Sequence, residues 1–494
     1  MAYGILIGAA ALTVAALLRV LLGSREEDQA NDKTAGAPDP DADESSAQRT
    51  APTARGTSSA RLDPDNPEFK RAWASLCGEG PLPAERHVFI TGRAGTRKST
   101  LINHFLATGD TGSTVVLAPT GVAALNVRGQ TVFRFFGFGI DVTPERVRTS
   151  RGDPRHPALY KKLSTIVIDE ASMLRADLLD CVDEFLRKHG PQPGEPFGNV
   201  RMIFVGDLHQ LPPVVPPEAH SIFNGERYET PYFFSASALS REQPHLIELR
   251  KIYRQEDVAF IELLDRVRTG SVTDGDIRSL NERVGSGEAT AICLTTTRKA
   301  AYQINRRRLD RLEGRATTSQ AEIRGDFGDD HHHPTETQLS FKVGARIMLV
   351  NNDPGGRWVN GSSGELKSID RNRHSVRIRL DANGEVVDVE PYTWERVRFA
   401  LKDGTIATER IGSFKQLPFL LAWAVTIHKS QGKTFENIVV DFGSGAFAAG
   451  QAYVAFSRST SFEGIALRRP IDTGSIFADR RVEEFLATCR VRST

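Results

Sequence analysis

The sequence predicts an α/β protein built on doubly wound parallel sheets, and three observations carry that expectation. First, "HVFITG" (87–92), "STVVLAP" (113–119), "STIVIDE" (164–170) and "VRMIFVGD" (200–207) are short, β-branched, continuously apolar runs. Strands read this way when both of their faces are buried. Second, helical patterns follow most of them, at 98–106 and 174–189, and again further on at 258–269. Strands alternating with helices form sheets whose ligands bind at the strand C-termini. Third, the texture changes between about Phe341 and Ile411, where "ARIMLVN", "SVRIRL" and "VVDVEPY" alternate around Gly/Asn turns. That segment predicts a small β-barrel-like insert.

From the N-terminus, Ala2–Leu18 carry no charge, and the apolar run continues past Arg19 to Leu22. About 20 apolar residues span a bilayer, so residues 1–23 are expected to be a transmembrane anchor, with membrane association through residues 2–22. A buried or interfacial helix, or a start placed too far upstream, are the alternatives. The nearby basic residues Arg19, Arg25 and Lys33 lie only on the C-terminal side, which places the remainder in the cytoplasm, at the inner face of the membrane. Residues 24–66 hold ten acids against five bases and almost no large apolar side chains. Such a segment cannot offset its ordering entropy by burial and is expected to be a disordered acidic linker.

The formal net charge is +1, which excludes a globally basic nucleic-acid coat; any grip on nucleic acid must be a local groove. Cys77, Cys181, Cys293 and Cys489 are far apart and form no CxxC pair, which argues against a zinc site or a disulfide framework and suits a reducing compartment. "DDHHHP" at Asp329–Pro334 reads as a solvated loop, because three adjacent histidines cannot easily converge on one ion.

"TGRAGTRKST" (91–100) is close to the phosphate-binding pattern G-x-x-x-x-G-K-[ST], with Gly92, Lys98 and Ser99 in place and Arg97 where the second glycine belongs. It lies between a predicted strand and a predicted helix, as the pattern requires. Backbone amides there would cradle phosphates, Lys98 would reach the outer ones and Ser99 would hold Mg²⁺. A chance Gly/Ser turn is the alternative. "IVIDEASM" then places Asp169 and Glu170 at the end of an apolar strand, where acids are costly without a task. Asp169 would bind Mg²⁺ through water and Glu170 would polarise an attacking water. Gln210 of "FVGDLHQLPPV" is placed to sense a γ-phosphate. Arg254 of "LRKIYRQED" and Arg458 of "YVAFSRST" could stabilise transition-state charge from a second domain. Loop and acids in this order predict an NTPase.

Nine ordered blocks resemble the superfamily 1B DNA helicases of the petite-integration-frequency (PIF) type, relatives of the RecD-like helicases. They are "FITGRAGTRKS", "VLAPTGVAALNVRGQTVFRFFGF", "IVIDEASML", "VGDLHQLPPV", "LRKIYRQED", "KVGARIMLVNND", "WVNGSSGEL", "LLAWAVTIHKSQGKTFENIVVDF" and "GQAYVAFSRS". They span roughly Val88–Leu467. The resemblance implies two RecA-like P-loop domains, at 67–240 and at 241–335 with 413–490, and an SH3-like β insert at 336–412. It implies ATP and Mg²⁺ between the lobes, single-stranded DNA across them and 5′→3′ translocation by a monomeric or weakly oligomeric protein.

By position, the resemblance assigns Gly92, Ala94, Gly95, Thr96, Arg97, Lys98, Ser99, Thr100 and Gly432 to ATP, and Ser99 and Asp169 to the metal. Lys98, Asp169, Glu170, Gln210, Arg254 and Arg458 are the catalytic candidates. Thr120, Gly121, His428 and Lys429 match positions that meet the DNA strand, and Phe133 and Phe136 of the cluster Phe133, Phe135, Phe136 and Phe138 could stack bases, although a cluster this dense must place part of itself in the core. The chain departs from the family pattern in two further places. Phe69 of "NPEFKRAW" stands near where an adenine-reading glutamine is usual, and Phe133 takes the place of a histidine in "TVFRFF". A nucleic-acid-binding protein slowed or silenced by Arg97, and an RNA-directed motor, are the alternative readings.

Overall fold

The computed structural model describes residues 66–77, 87–109, 111–139, 141–223, 227–287, 290–328, 333–443 and 445–493. The expected anchor at 1–23 and nearly all of the expected linker at 24–66 lie outside the described residues. The membrane reading is corrected: among the described residues, no helix is long and apolar enough to cross a membrane.

The four apolar runs form strands β1 (Val88–Gly92), β2 (Thr114–Ala118), β4 (Thr165–Ile168) and β5 (Arg201–Gly206), with β3 (Gln130–Thr131) and β6 (His245–Leu249) at the edges. All six are parallel, in the order β3-β2-β4-β5-β1-β6. Alternate residues of each strand point to opposite faces. Ile90, Val116, Val167 and Ile203 therefore pack with Leu101, Ile102 and Phe105 of the helix Lys98–Thr108. Phe89, Val115, Ile166 and Phe204 pack with Leu179, Val182 and Leu186 of the helix Ala176–His189. Burial on both faces is what the unbroken apolar runs required.

β6 pairs with β1 over His245–Leu249, so the boundary expected at 240/241 moves to beyond this strand. The C-terminal helix Arg480–Ser493 also joins the first sheet: Val482, Leu486 and Cys489 are buried with Phe89, and Phe485 stacks on Phe234 with ring centroids 4.3 Å apart.

A second parallel sheet begins at β7 (Ile292–Thr295). Before its next strand the chain makes a β-rich excursion. This runs through β8 (Thr317–Gln320), β9 (Glu322–Gly325), β10 (Gln338–Phe341), β11 (Arg346–Leu349) and β12 (Ser363–Asp370). It continues through β13 (Ser375–Leu380), β14 (Val386–Val389), β15 (Tyr392–Lys402), β16 (Thr405–Gln416) and β17 (Phe419–Leu421). Strands β14-β13-β12-β11-β17 form an antiparallel sheet over a core containing Ile347, Leu366, Ile378 and Phe419. The hairpin β15–β16 pairs with β9 instead and lies against the first sheet. Its Phe399 and Ile406 enter the same core as Phe135, and Phe399 N–H donates to Gln130 Oε1 at 3.0 Å.

The chain then returns as β18 (Ala424–Thr426), β19 (Ile438–Asp441) and β20 (Ile465–Leu467), giving a parallel sheet in the order β18-β7-β19-β20. The solvated-loop reading of "DDHHHP" needs correction at His333. This residue is buried against Phe327 and Phe414 and hydrogen-bonds Gly328 O and Thr337 Oγ1, each at 3.1 Å. All four cysteines are free thiols.

Candidate functional site

The loop between β1 and the helix Lys98–Thr108 is tied down at almost every residue. Thr96 Oγ1 donates to Arg93 O at 2.9 Å. Ala94 N–H donates to the Tyr453 hydroxyl at 2.9 Å, which joins the loop to the helix Gln451–Phe456 of the second sheet. Gly95 has φ +87°, and a Cβ there would lie 2.7 Å from Arg254 Cβ, so only glycine fits. Lys98 Nζ turns back onto the loop, donating to Gly92 O at 2.6 Å and Arg93 O at 3.0 Å. Burial lowers the Lys98 pKa, while Asp207 and Glu170 draw it back up. Ser99 is exposed at the helix start, and Thr100 is half-buried.

Arg97 adopts φ 65°, ψ 29°, the left-handed conformation that glycine accepts freely. For a residue with a Cβ this costs roughly 1–2 kcal/mol. Its guanidinium lies over the Tyr253 ring, with Cζ 4.0 Å from the centroid. A cation–π contact contributes about 0.5–2 kcal/mol, the same order as the backbone cost.

Asp169 and Glu170 follow β4 directly. Burial and the neighbouring Glu170 push the Asp169 carboxyl up to about 7. Burial also raises Glu170, held back by Lys98 and Arg458. Glu170 itself has φ 52°, and its N–H donates to Asp169 Oδ1 at 2.9 Å. Its carboxylate and Gln210 share one partner: Gln431 Nε2 donates to Glu170 Oε2 and to Gln210 Oε1, both at 3.1 Å. Gly450, at the start of the helix Gln451–Phe456, approaches the same segment so closely that a Cβ would meet His209 O at 2.1 Å. The two sheets thus meet across this cleft.

Both candidate arginines line it, Arg458 fully buried and Arg254 half-buried. Arg254 Nη1 donates to Ser457 O at 2.9 Å, and burial lowers its pKa to about 10. Arg458 donates to Val454 O at 2.9 Å and to Ser430 O and Lys433 O at 3.4 and 3.3 Å; burial and then Arg254 lower it to about 9. Arg254 depresses Arg458, so the two guanidiniums stand close together in the cleft, countered by Tyr453, Glu170 and Asp207. Arg254 follows β6 of the first sheet, so only Arg458 comes from the second; the expectation of two arginines from a second domain is corrected accordingly. Gly432, beside Gln431, has φ +77° and open space around it.

The hard-oxygen donors suited to Mg²⁺ are Asp169 and Ser99. Asp169 is buried at the end of β4, with Oδ1 accepting from Glu170 N–H. A divalent ion there would supply charge neutralisation for phosphate oxygens.

Of the strand-binding candidates, Thr120 caps the helix Gly121–Asn126 by accepting from Ala123 N–H at 3.3 Å, and Gly121 is half-buried beside it. Phe136 must be withdrawn as a stacking surface. It is 4% exposed, its ring stacked on Phe138 at 5.3 Å and set edge-on to Phe185 at 5.1 Å. Helix positions Val132, Phe135 and Phe136 form the buried side of a short helix, whereas Phe133 stays half-buried at the margin of the core. Lys429 is exposed and His428 half-exposed. Desolvation and then Arg298 lower the pKa of His428. Arg298 opens the basic helix Arg298–Arg311, a neighbour that sequence spacing did not reveal.

Several other residues of the cleft were not singled out from the sequence. Asp207, Arg268, Tyr253, Tyr453 and Gln431 all hold it together. Asp207 closes β5 as a buried carboxylate. Burial opposes its ionisation, but Arg268 at 3.1 Å, His209 and Lys98 outweigh it and hold the carboxyl well below the usual range. "VGD" at a strand end was the available signal.

Comparison with known proteins agrees with this geometry. A family model described as PIF1-like helicase matches residues 69–278. The ATP-dependent DNA helicase Pif1 of Bdellovibrio bacteriovorus is 32% identical over 403 residues, covering 78% of this chain and 85% of that protein. The human ATP-dependent DNA helicase PIF1 is 34% identical over 82% of this chain, which spans 61% of the human protein's length. Among solved structures, Pif1 helicase from Bacteroides in complex with ADP-AlF3 and ssDNA matches with a TM-score of 0.60 at 33% identity, covering 86% of this chain and 97% of that one. The chain belongs to the PIF1-like helicase family.

Proposed function

We propose that this protein is an ATP-dependent 5′→3′ helicase or translocase on single-stranded DNA. The observation that carries the reading is the meeting of Glu170 and Gln210 from the first sheet with Gln431 from the second, next to the phosphate-loop lysine. A ligand that bridges such a cleft changes the relation between two sheets, and a strand lying across both would be moved by that change. Support comes from relatives named ATP-dependent DNA helicases and from the Bacteroides protein crystallised with a nucleotide analogue and ssDNA.

In this proposal each parallel sheet is a RecA-like lobe and the excursion β8–β17 contains an SH3-like insert. Lys98 would hold the outer phosphates, Glu170 would orient and deprotonate water, Gln210 would sense the γ-phosphate, and Arg254 with Arg458 would offset developing charge. Ser99 and Asp169 would hold Mg²⁺. Thr120, Gly121, His428, Lys429 and the rim of Phe133 would meet the strand. A monomeric or weakly oligomeric state and a reducing, cytoplasmic compartment complete the proposal; the widely spaced cysteines, with no CxxC pair, suit that compartment. Strand displacement tests the direction. A duplex with a 5′ single-stranded tail should be unwound with ATP while a 3′-tailed duplex is not, and the reverse would refute it.

A further inference from the structure

We propose that Arg97 is a positioning residue of the phosphate loop, which works because its guanidinium is seated on Tyr253. This rests on the ATP reading above. At the position where the phosphate-binding pattern asks for glycine, Arg97 holds the left-handed turn and stands as the residue preceding the helix Lys98–Thr108, where its side chain makes no capping hydrogen bond. The guanidinium instead reaches away from the helix start, onto Tyr253. The Tyr253 ring, 4.0 Å from Arg97 Cζ, is the support.

That ring is itself fixed. Tyr253 N–H donates to Gly95 O at 3.1 Å, Phe69 meets the ring edge-on at 6.3 Å, and Asn66 Nδ2 lies 3.4 Å from the hydroxyl. Lys251 Nζ lies 5.2 Å from the same ring centroid, so two cations flank one ring. The next residue is Arg254, packed on Gly95 and bonded to Ser457 O of the second sheet's side. Arg97 on Tyr253 thereby joins the phosphate loop, through one rigid dipeptide, to an arginine that faces the other half of the cleft. Glycine at 97 would relieve the backbone and lose that connection. On this account Arg97→Gly does not restore a damaged loop; it loosens a working one.

The test is a double-mutant cycle of Arg97→Ala, which keeps the Cβ and its backbone cost, Tyr253→Leu and the pair, with Tyr253→Phe as the conservative variant and Arg97→Gly as the backbone control. Each protein is titrated with a fluorescent ATP analogue and assayed for ssDNA-stimulated turnover. We expect each single variant to weaken nucleotide binding and raise the KM for ATP about 3- to 10-fold, with kcat changed about 2-fold or less. Tyr253→Phe should behave as the parent, and the pair should be no worse than the weaker single variant, because both remove one contact. Tighter binding or faster turnover in Arg97→Gly would overturn the proposal. So would losses that multiply in the pair, which would mean that Tyr253 serves the nucleotide on its own. If the parent binds nucleotide without turnover, the motor reading fails while the binding cycle still decides the role of Arg97.

Discussion

Gln431 donates its side-chain amide to Glu170 at 3.1 Å and so links the second half of the cleft to the candidate water-orienting carboxylate of the first. The same nitrogen reaches Gln210. A hydrogen bond to a charged group contributes about 1.5–3 kcal/mol. Gln431→Ala should therefore lower ssDNA-stimulated kcat about 10- to 100-fold, with a much smaller change in nucleotide affinity. Stopped-flow phosphate release and nucleotide titration separate the two; a pure loss of affinity would contradict this role.

Lys98 spends both observed hydrogen bonds on carbonyls of its own loop, at Gly92 and Arg93. Phosphate oxygens would have to draw it from these partners. Lys98→Ala should reduce nucleotide affinity and turnover together, each by roughly 100-fold, the scale of a lost charge-assisted pair in a sheltered site. Calorimetric ATP titration reads this directly.

Lys429 is exposed next to Arg298 and half-exposed His428. As a phosphate contact, Lys429→Ala should weaken binding about equally for unrelated DNA sequences. It should reduce the slope of log affinity against log salt by about 0.7. An unaltered slope would remove Lys429 from the strand path.

Asp207 and Arg268 form a buried ion pair at 3.1 Å beneath the cleft. Asp207→Asn leaves Arg268 uncompensated and should cost roughly 3–5 kcal/mol. The Asp207 pKa is depressed in the fold, so its contribution is fully present above the unfolded carboxylate value near about 3.9 and is lost as pH falls through the folded value below it. Thermal melts should show a constant gap between parent and variant from about pH 7 to about pH 5, closing only below about pH 4. A gap that closes near neutrality would mean that Asp207 is protonated in the fold.

The parts of the fold that were legible are those whose signal is local. β1, β2, β4 and β5 announced themselves because strands buried on both faces must be apolar throughout. β6 did not, since His245 and Glu248 break the apolar run of "HLIEL" and its membership in the first sheet is decided by pairing with β1. Likewise the loop, Asp169–Glu170 and Arg458 carry short-range signatures, whereas Arg268 matters through a carboxylate 61 positions away. Phe136 shows the opposite failure. An aromatic near a predicted strand-binding segment looks like a base platform until Phe138, Tyr160 and Phe185 are seen to surround it. Arg97 looked like damage because its partner, Tyr253, lies 156 positions along the chain.

In the proposed function, an ATP site in this cleft drives movement on single-stranded DNA. The most direct test is steady-state ATP hydrolysis with and without a single-stranded oligonucleotide, in the parent and in Glu170→Gln. We expect DNA to stimulate hydrolysis severalfold or more in the parent, and Glu170→Gln to abolish the turnover while still binding nucleotide. Hydrolysis indifferent to DNA, or undiminished in Glu170→Gln, would contradict the account.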